Sequence, residues 1–294
     1  MYDFEDLKKA FSDPFLLLRE INRLYHSRIG LRDYNPRGID IFEQDWDNLV
    51  ILDACRYDVF AEYADVSGRL EKRTSRGAAT PEFVKANFAG KRLDDTVYVT
   101  GNDWFLQLRE EIDARVHDIY TPDGSDPAEM TETVLDVADQ YPNKRLVAHY
   151  IPPHHPFVGQ TASEYFPNFE AQLDKLFERI RRDELNISDE LLRRAYVENL
   201  SRVLPEVERL LDTLDGRTVV TADHGELLGD RTYPLPIKDY GHHMSLYVDT
   251  LVDVPWLVHE AGVRREIVSE EMDERRIVDH ERVEERLKRL GYKV

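Results

Sequence analysis

Cysteine is almost missing. Cys55 is the single one in 294 residues, which excludes an intrachain disulfide and makes a cytoplasmic location the expectation. No apolar run approaches the roughly 20 residues that a membrane-crossing helix needs, and the acidic opening Met1-Tyr2-Asp3-Phe4-Glu5-Asp6 does not read as a secretory signal. Positive charge is also short. Lys and Arg total 39 against 58 Asp and Glu, a net charge of −19, and only ten of the basic residues are Lys. A deficit of this size works against non-specific attraction to nucleic acid or an anionic membrane, so no nucleic-acid partner is expected. It suits a chain that stays soluble in high salt, where screening weakens self-repulsion, and halophilic adaptation is the reading preferred over an ordinary acidic surface. Internal repeats, low-complexity tracts and long linkers are absent too.

What is present describes a globular protein. Hydrophobic residues make up 41%, with 15 Tyr and 12 Phe, and the length allows one large α/β domain. Residues 1–46 read as an N-terminal helical extension: Pro14 opens a helix with Leu16, Leu17, Leu18, Ile21, Leu24 and Tyr25 at helical spacing, and Asn35-Pro36-Arg37-Gly38 is a turn. From residue 47 to 294, strands alternate with helices. Asn48-Leu49-Val50-Ile51-Leu52 is apolar enough for a fully buried parallel strand and ends in Asp53. Val97–Thr100 ends in Gly101-Asn102, and Arg145–Ile151 runs into the proline-stiffened loop that carries His154 and His155. A long amphipathic helix over 186–215, closed by Gly216, leads into strand Thr218–Ala222. Val254–Val258 is a last core strand, and 279–294 a charged amphipathic helix. The alternation gives a three-layer α/β/α sandwich around a largely parallel, doubly wound sheet.

Chemistry gathers at the strand ends, where open α/β sheets collect their ligands. Val219-Val220-Thr221-Ala222 delivers Asp223 and His224 side by side before Gly225, an acid and an imidazole suited to a metal ion, although a polar turn would look the same. Thr80 before Pro81 reads as a helix N-cap, and its hydroxyl also sits where free N–H groups attract anions. His149, His154 and His155 fall within seven residues, a density that favours ligand or substrate contact. Cys55 reads as a small buried residue, Asn102 as a turn residue that could face the same site, and Arg56 as added charge or one half of an ion pair.

These motifs, in this order, resemble the sulfatase branch of the alkaline phosphatase superfamily from about residue 47 onward. Asn48–Asp53 looks like its opening strand and first metal ligand, Asp223-His224-Gly225 like its ligand pair, His154-His155-Pro156 like its histidine loop, and Gly241-His242 like its late histidine. The sulfatase Cys-x-Pro-x-Arg is missing. Ser75 matches the serine five residues before the nucleophile, which puts Thr80 in that place, and Ala54 stands where a second acid would support calcium. A Thr nucleophile, with His149 five residues before His154, is similar to the phosphoethanolamine and phosphoglycerol transferase branch. The resemblance implies one divalent ion, zinc or manganese rather than calcium, on Asp53, Thr80, Asp223 and His224. It implies catalytic roles for Thr80, His154, His242, His149 and Arg56. The expected substrate is a small-molecule, glycan-linked or lipid-linked phosphate ester; a sulfate ester, or a non-catalytic binding role, is the alternative.

Overall fold

The computed structural model describes residues 13–122, 126–173 and 175–270. The helix expected over 279–294, and the first part of the N-terminal extension, lie outside them. Seven strands form one sheet: β1 (Asn48–Leu52), β2 (Arg69–Thr74), β3 (Arg92–Thr100), β4 (Arg115–Tyr120), β5 (Arg145–Tyr150), β6 (Gly216–Thr221) and β9 (Asp253–Ala261). Their spatial order is β2-β9-β6-β1-β5-β3-β4. Only β9 runs against the rest: its pairings with β2 and β6 are antiparallel, whereas β6-β1, β1-β5, β5-β3 and β3-β4 are parallel. β7 (Leu227–Arg231) and β8 (Lys238–Gly241) make a separate hairpin.

The period-two side-chain alternation of β1 creates the two outer layers. Val50 and Leu52 point into one core with Val134 and Val137 of α5 (Pro127–Gln140) and Leu200, Val203 and Val207 of α9 (Asp189–Thr213). Leu49 and Ile51 point into the other, with Phe83, Val84 and Phe88 of α3 (Thr80–Phe88) and Phe105 of α4 (Trp104–Leu108). The result is the expected three-layer sandwich. β2 and β4 went unread in the sequence because both lie at sheet edges. Their residues, Arg-Leu-Glu-Lys-Arg-Thr and Arg-Val-His-Asp-Ile-Tyr, carry the charges that edges use against further pairing.

Three local readings change. Helix α3 begins at Thr80 itself, with Ala79 as N-cap in extended backbone, so Thr80 is not the cap. α9 ends at Thr213, and Gly216 starts β6 rather than closing the helix. Helix α1 (Pro14–His26) starts at Pro14 as expected, with the Asp13 side chain accepting from the Phe15 N–H, but it packs with its polar side inward. Asn22 donates to Thr232 and to the Leu235 carbonyl, and Arg19 binds Asp239 through two hydrogen bonds of 2.7 and 2.6 Å.

Candidate active site

The parallel strands bring their carboxyl ends to one edge of the sheet. β1 delivers Asp53 there, β3 delivers Asn102, and β6 delivers Asp223 and His224; the loop after β2 delivers Thr80, and the loop after β5 delivers His154 and His155. Gly225 lets the Asp223-His224 turn close, because a Cβ at that position would stand 2.1 Å from the Thr250 carbonyl oxygen.

Four donor atoms converge around His224 Nε2. Thr80 Oγ1 is 3.2 Å away, Asp223 Oδ2 3.4 Å and Asp53 Oδ1 3.6 Å. An ion with bonds of about 2 Å holds tetrahedral donors about 3.3 Å apart, which is this spacing. Asp53 Oδ1, Asp223 Oδ2 and His149 Nε2 are all buried without a hydrogen-bond partner, and the ligand atoms of Asp53, His149 and Asp223 lie within 4.8 Å of one another. Unpartnered carboxylate oxygens in a dry interior are costly, and a cation is what would satisfy them. The residues present therefore fit a divalent ion.

The surrounding shell fixes each of these groups. His224 Nδ1 sits 2.7 Å from the Gly225 carbonyl and must donate to it, which leaves the Nε2 lone pair free. Burial lowers the His224 pKa to about 4 and keeps the ring neutral. Asp53 Oδ2 accepts from Asn102 at 2.6 Å, so the turn residue read after β3 does face the site. Asp223 Oδ1 accepts from the N–H groups of Ala54 and His224 at 3.0 and 2.8 Å. Burial, followed by the charge of Asp223, pushes the Asp53 pKa well up. Asp223 is equally buried, but His224, His149 and the Ala54 N–H hold its pKa down. Ser75 hydrogen-bonds the Asp223 carbonyl and ties the Thr80 loop to the β6 turn.

A second group of residues stands over this floor. The His242 ring centroid is 4.4 Å from that of His224 and 5.2 Å from that of His154. His242 Nδ1 meets Glu226 Oε1 at 3.0 Å. Burial alone would lower the His242 pKa, but the Glu226 carboxylate outweighs it and raises it. For His154, burial together with His242 outweighs the attraction of Glu226 and lowers the pKa to about 4. Sequence reasoning missed Glu226 as a partner of His242; the only signal was its place two residues after His224.

His149 and Arg56 are placed differently from the other candidates. His149 is fully buried under the floor, its Nδ1 2.8 Å from the Tyr98 hydroxyl and its Nε2 3.8 Å from Asp223 Oδ2. The guanidinium of Arg56 binds Asp58 and Asp230 at 2.8 and 2.7 Å and donates to the Glu226 carbonyl at 3.2 Å, so it braces the turn and does not enter the floor. Cys55 is fully buried, with its thiol pushed up by burial.

A cleft of about 640 Å³ opens above Asp53, Thr80, His154, His155 and His242, with Trp104, Phe169 and Met244 on its walls. A second cavity, of about 650 Å³, adjoins it and shares His155 and His242.

No protein-family model matches the chain, and no curated protein sequence does. Among solved structures it is similar to the zinc complex of the C-terminal periplasmic domain of EcEptC from Escherichia coli. That match has 14% identity and a TM-score of 0.48, over 76% of this chain and 75% of that one. It is also similar to the phosphonate monoester hydrolase of Agrobacterium radiobacter, at 14% identity and a TM-score of 0.44, over 74% and 70%. A protein in the alkaline phosphatase superfamily from Vibrio parahaemolyticus matches at 11% identity and a TM-score of 0.43, over 82% and 65%.

Proposed function

We propose that residues 47–294 form a metal-dependent hydrolase or transferase domain for phosphate esters, phosphodiesters above all, with Thr80 as nucleophile and residues 1–46 as an extension. The observation that carries this reading is the meeting of Thr80 Oγ1, His224 Nε2 and two unpartnered carboxylate oxygens on the floor of a cleft. Asp53, Thr80, Asp223 and His224 hold the ion, and the mixed N/O donor set suits zinc or manganese better than calcium. When bound, that ion lowers the pKa of a coordinated hydroxyl and offsets charge on the phosphoryl oxygens.

The residues supply the rest. Thr80 loses its proton to solvent, and its Oγ forms a bond to phosphorus as the bond from phosphorus to the leaving oxygen breaks. His242, whose pKa Glu226 raises, donates a proton to that oxygen. His154, neutral, faces the remaining oxygens. Water or an acceptor alcohol then attacks the phosphothreonine and restores Thr80. Two cavities that share His155 and His242 give room for two ester limbs, which favours a diester with small-molecule, glycan-linked or lipid-linked arms.

Two substitutions test this together. Asp223→Asn removes a negative ligand, so zinc or manganese retained after dialysis should fall and activity with it. Thr80→Ala should keep much of the metal while losing at least about 10³ in turnover of an aryl phosphodiester. Wild-type protein quenched in acid with substrate should carry phosphate on the Thr80 peptide. Near-normal turnover by Thr80→Ala would leave water as the attacking group. A preference for aryl sulfate would restore the sulfatase reading, and metal binding without turnover of either ester class the non-catalytic one.

A further inference from the structure

Helix α1 leaves one apolar stripe in solvent, while Phe15, Leu16 and Leu24 are half-buried. While Arg19, Asn22 and His26 face the body, Leu17, Leu18, Ile21 and Tyr25 are exposed along the opposite stripe. Beyond the helix the backbone passes through the left-handed region at Arg28 and Ile29, φ 54° and 60°. The turn leaves Ile29 80% and Leu31 86% exposed, between Arg28 and Arg32. Soluble domains seldom leave such a contiguous apolar patch uncovered unless it binds something.

What surrounds the patch says what it binds. Arg28, Arg32 and Arg37 line an open cavity of about 250 Å³ beside it, together with Tyr25, Tyr233 and Tyr247. Arg28 lies 5.6 Å from the Tyr25 ring centroid, and Arg37 hydrogen-bonds the Tyr233 side chain. Glu82, which accepts from the Tyr247 hydroxyl at 2.6 Å, Asp33 and Asp249 are the carboxylates that act on the cavity's tyrosines. Three guanidinium groups beside exposed aliphatic side chains, in a chain of net charge −19, make a local exception to the molecule's overall repulsion of anions. Aliphatic side chains at a tip, tyrosines at its margin and arginines around it match the acyl boundary, headgroup level and phosphates of an anionic bilayer. A charge patch of this kind acts within a Debye length, about 8 Å at physiological ionic strength, so the distant acidic surface does not cancel it.

We propose that α1 and the Arg28–Arg32 turn dock on the surface of an anionic phospholipid bilayer, with Ile29 and Leu31 entering the acyl boundary and the arginine-lined cavity holding a headgroup phosphate. The helix is fastened to the rim of the catalytic cleft, because Arg23 Nε donates to the Met244 carbonyl at 2.8 Å and Met244 lines that cleft. Docking therefore brings the cleft mouth beside the membrane.

The test is flotation of the full chain with vesicles of phosphatidylcholine containing 30% phosphatidylglycerol, and with phosphatidylcholine alone, in 0.15 M KCl. Binding should require phosphatidylglycerol. Ile29→Ser with Leu31→Ser should weaken it about a hundredfold, roughly tenfold for each aliphatic lost. Arg28→Gln with Arg32→Gln should remove the preference for the anionic lipid. A Leu31→Trp variant reads insertion directly, since brominated acyl chains should quench its added fluorescence even if the serine variant misfolds. Wild-type protein that stays unbound, serine-variant binding equal to wild type, or an unquenched Trp at position 31 would each overturn the proposal. So would a wild-type dimer that the serine pair makes monomeric without any vesicle binding, which would assign the patch to a second copy of the chain.

Discussion

Asn102 and His242 carry the site's finer tuning. Asn102 holds Asp53 Oδ2 at 2.6 Å and aims Oδ1 at the other donors. Asn102→Ala should weaken metal affinity by about 10- to 100-fold, the usual cost of losing a partner that orients a ligand. Turnover at saturating metal should change far less, and metal titration followed by rate measurement separates the two effects. Glu226 raises the pKa of His242, whereas burial lowers that of His154 to about 4, which makes His242 the better proton donor for the proposed reaction. His242→Asn should therefore cost about 10² to 10⁴ with an alkyl leaving group and much less with p-nitrophenolate, which needs no acid. His154→Asn should show no such dependence on the leaving group. Equal losses for both leaving groups in His242→Asn would remove it as the acid. The placement of Asp53, Asp223 and His224 at strand ends was legible in the sequence, whereas Thr80 was read as the helix cap and its place among them came only from the family resemblance. The partnership of Glu226 with His242 was not legible, since it depends on two turns meeting across sixteen positions.

Among the elements, the loop from β2 to α3 is closely confined. A Cβ on Gly77 would stand 2.4 Å from the Phe83 backbone nitrogen, so the loop must lie flat against the first turn of the helix that begins with Thr80. Glu82 fastens the same turn by accepting from the Ala78 N–H at 2.8 Å and from the Tyr247 hydroxyl at 2.6 Å. Gly77→Ala should therefore lower both thermal stability and turnover, and a variant with a lower melting midpoint but wild-type turnover would contradict that coupling. In the layer packed on the other face, Leu200→Ala on α9 should cost about 2–5 kcal/mol in denaturant unfolding and leave metal binding intact. The buried strands and α9 were readable from their apolar runs. The edge strands β2 and β4 were not, since solvent and charge at an edge hide the pattern. The inverted packing of α1 was also hidden, because periodicity shows that two faces differ without showing which one faces the body.

Two expectations concern the molecule as a whole. The charge of −19 should make the melting midpoint rise from low to molar KCl, and a flat or falling midpoint would remove the halophilic reading. Asp40 gives a pH dependence of known sign. It is buried between Arg76 at 2.9 Å and Lys91 at 2.6 Å; burial would raise its pKa, but the two cations outweigh that and hold it below 3.8. A depressed carboxyl stabilises the fold above its unfolded pKa and ceases to do so as pH falls through the folded value. Asp40→Asn should therefore melt below wild type at pH 7, with the gap closing below pH 3.8.

The single antiparallel strand also sets an order in time. In the sheet β2 touches only β9, and Arg69 pairs with Val258 from nearly the far end of the chain. During synthesis from the N-terminus, β1, β3 and β5 can assemble early, but β2 has no neighbour until β9 emerges. The loop that carries Thr80 hangs from β2 and is held from one side by Asn35, made early, and from the other by Asp223 and Val252, made late. A chain stopped before residue 253 thus holds Thr80 on a loop whose leading strand still lacks its partner.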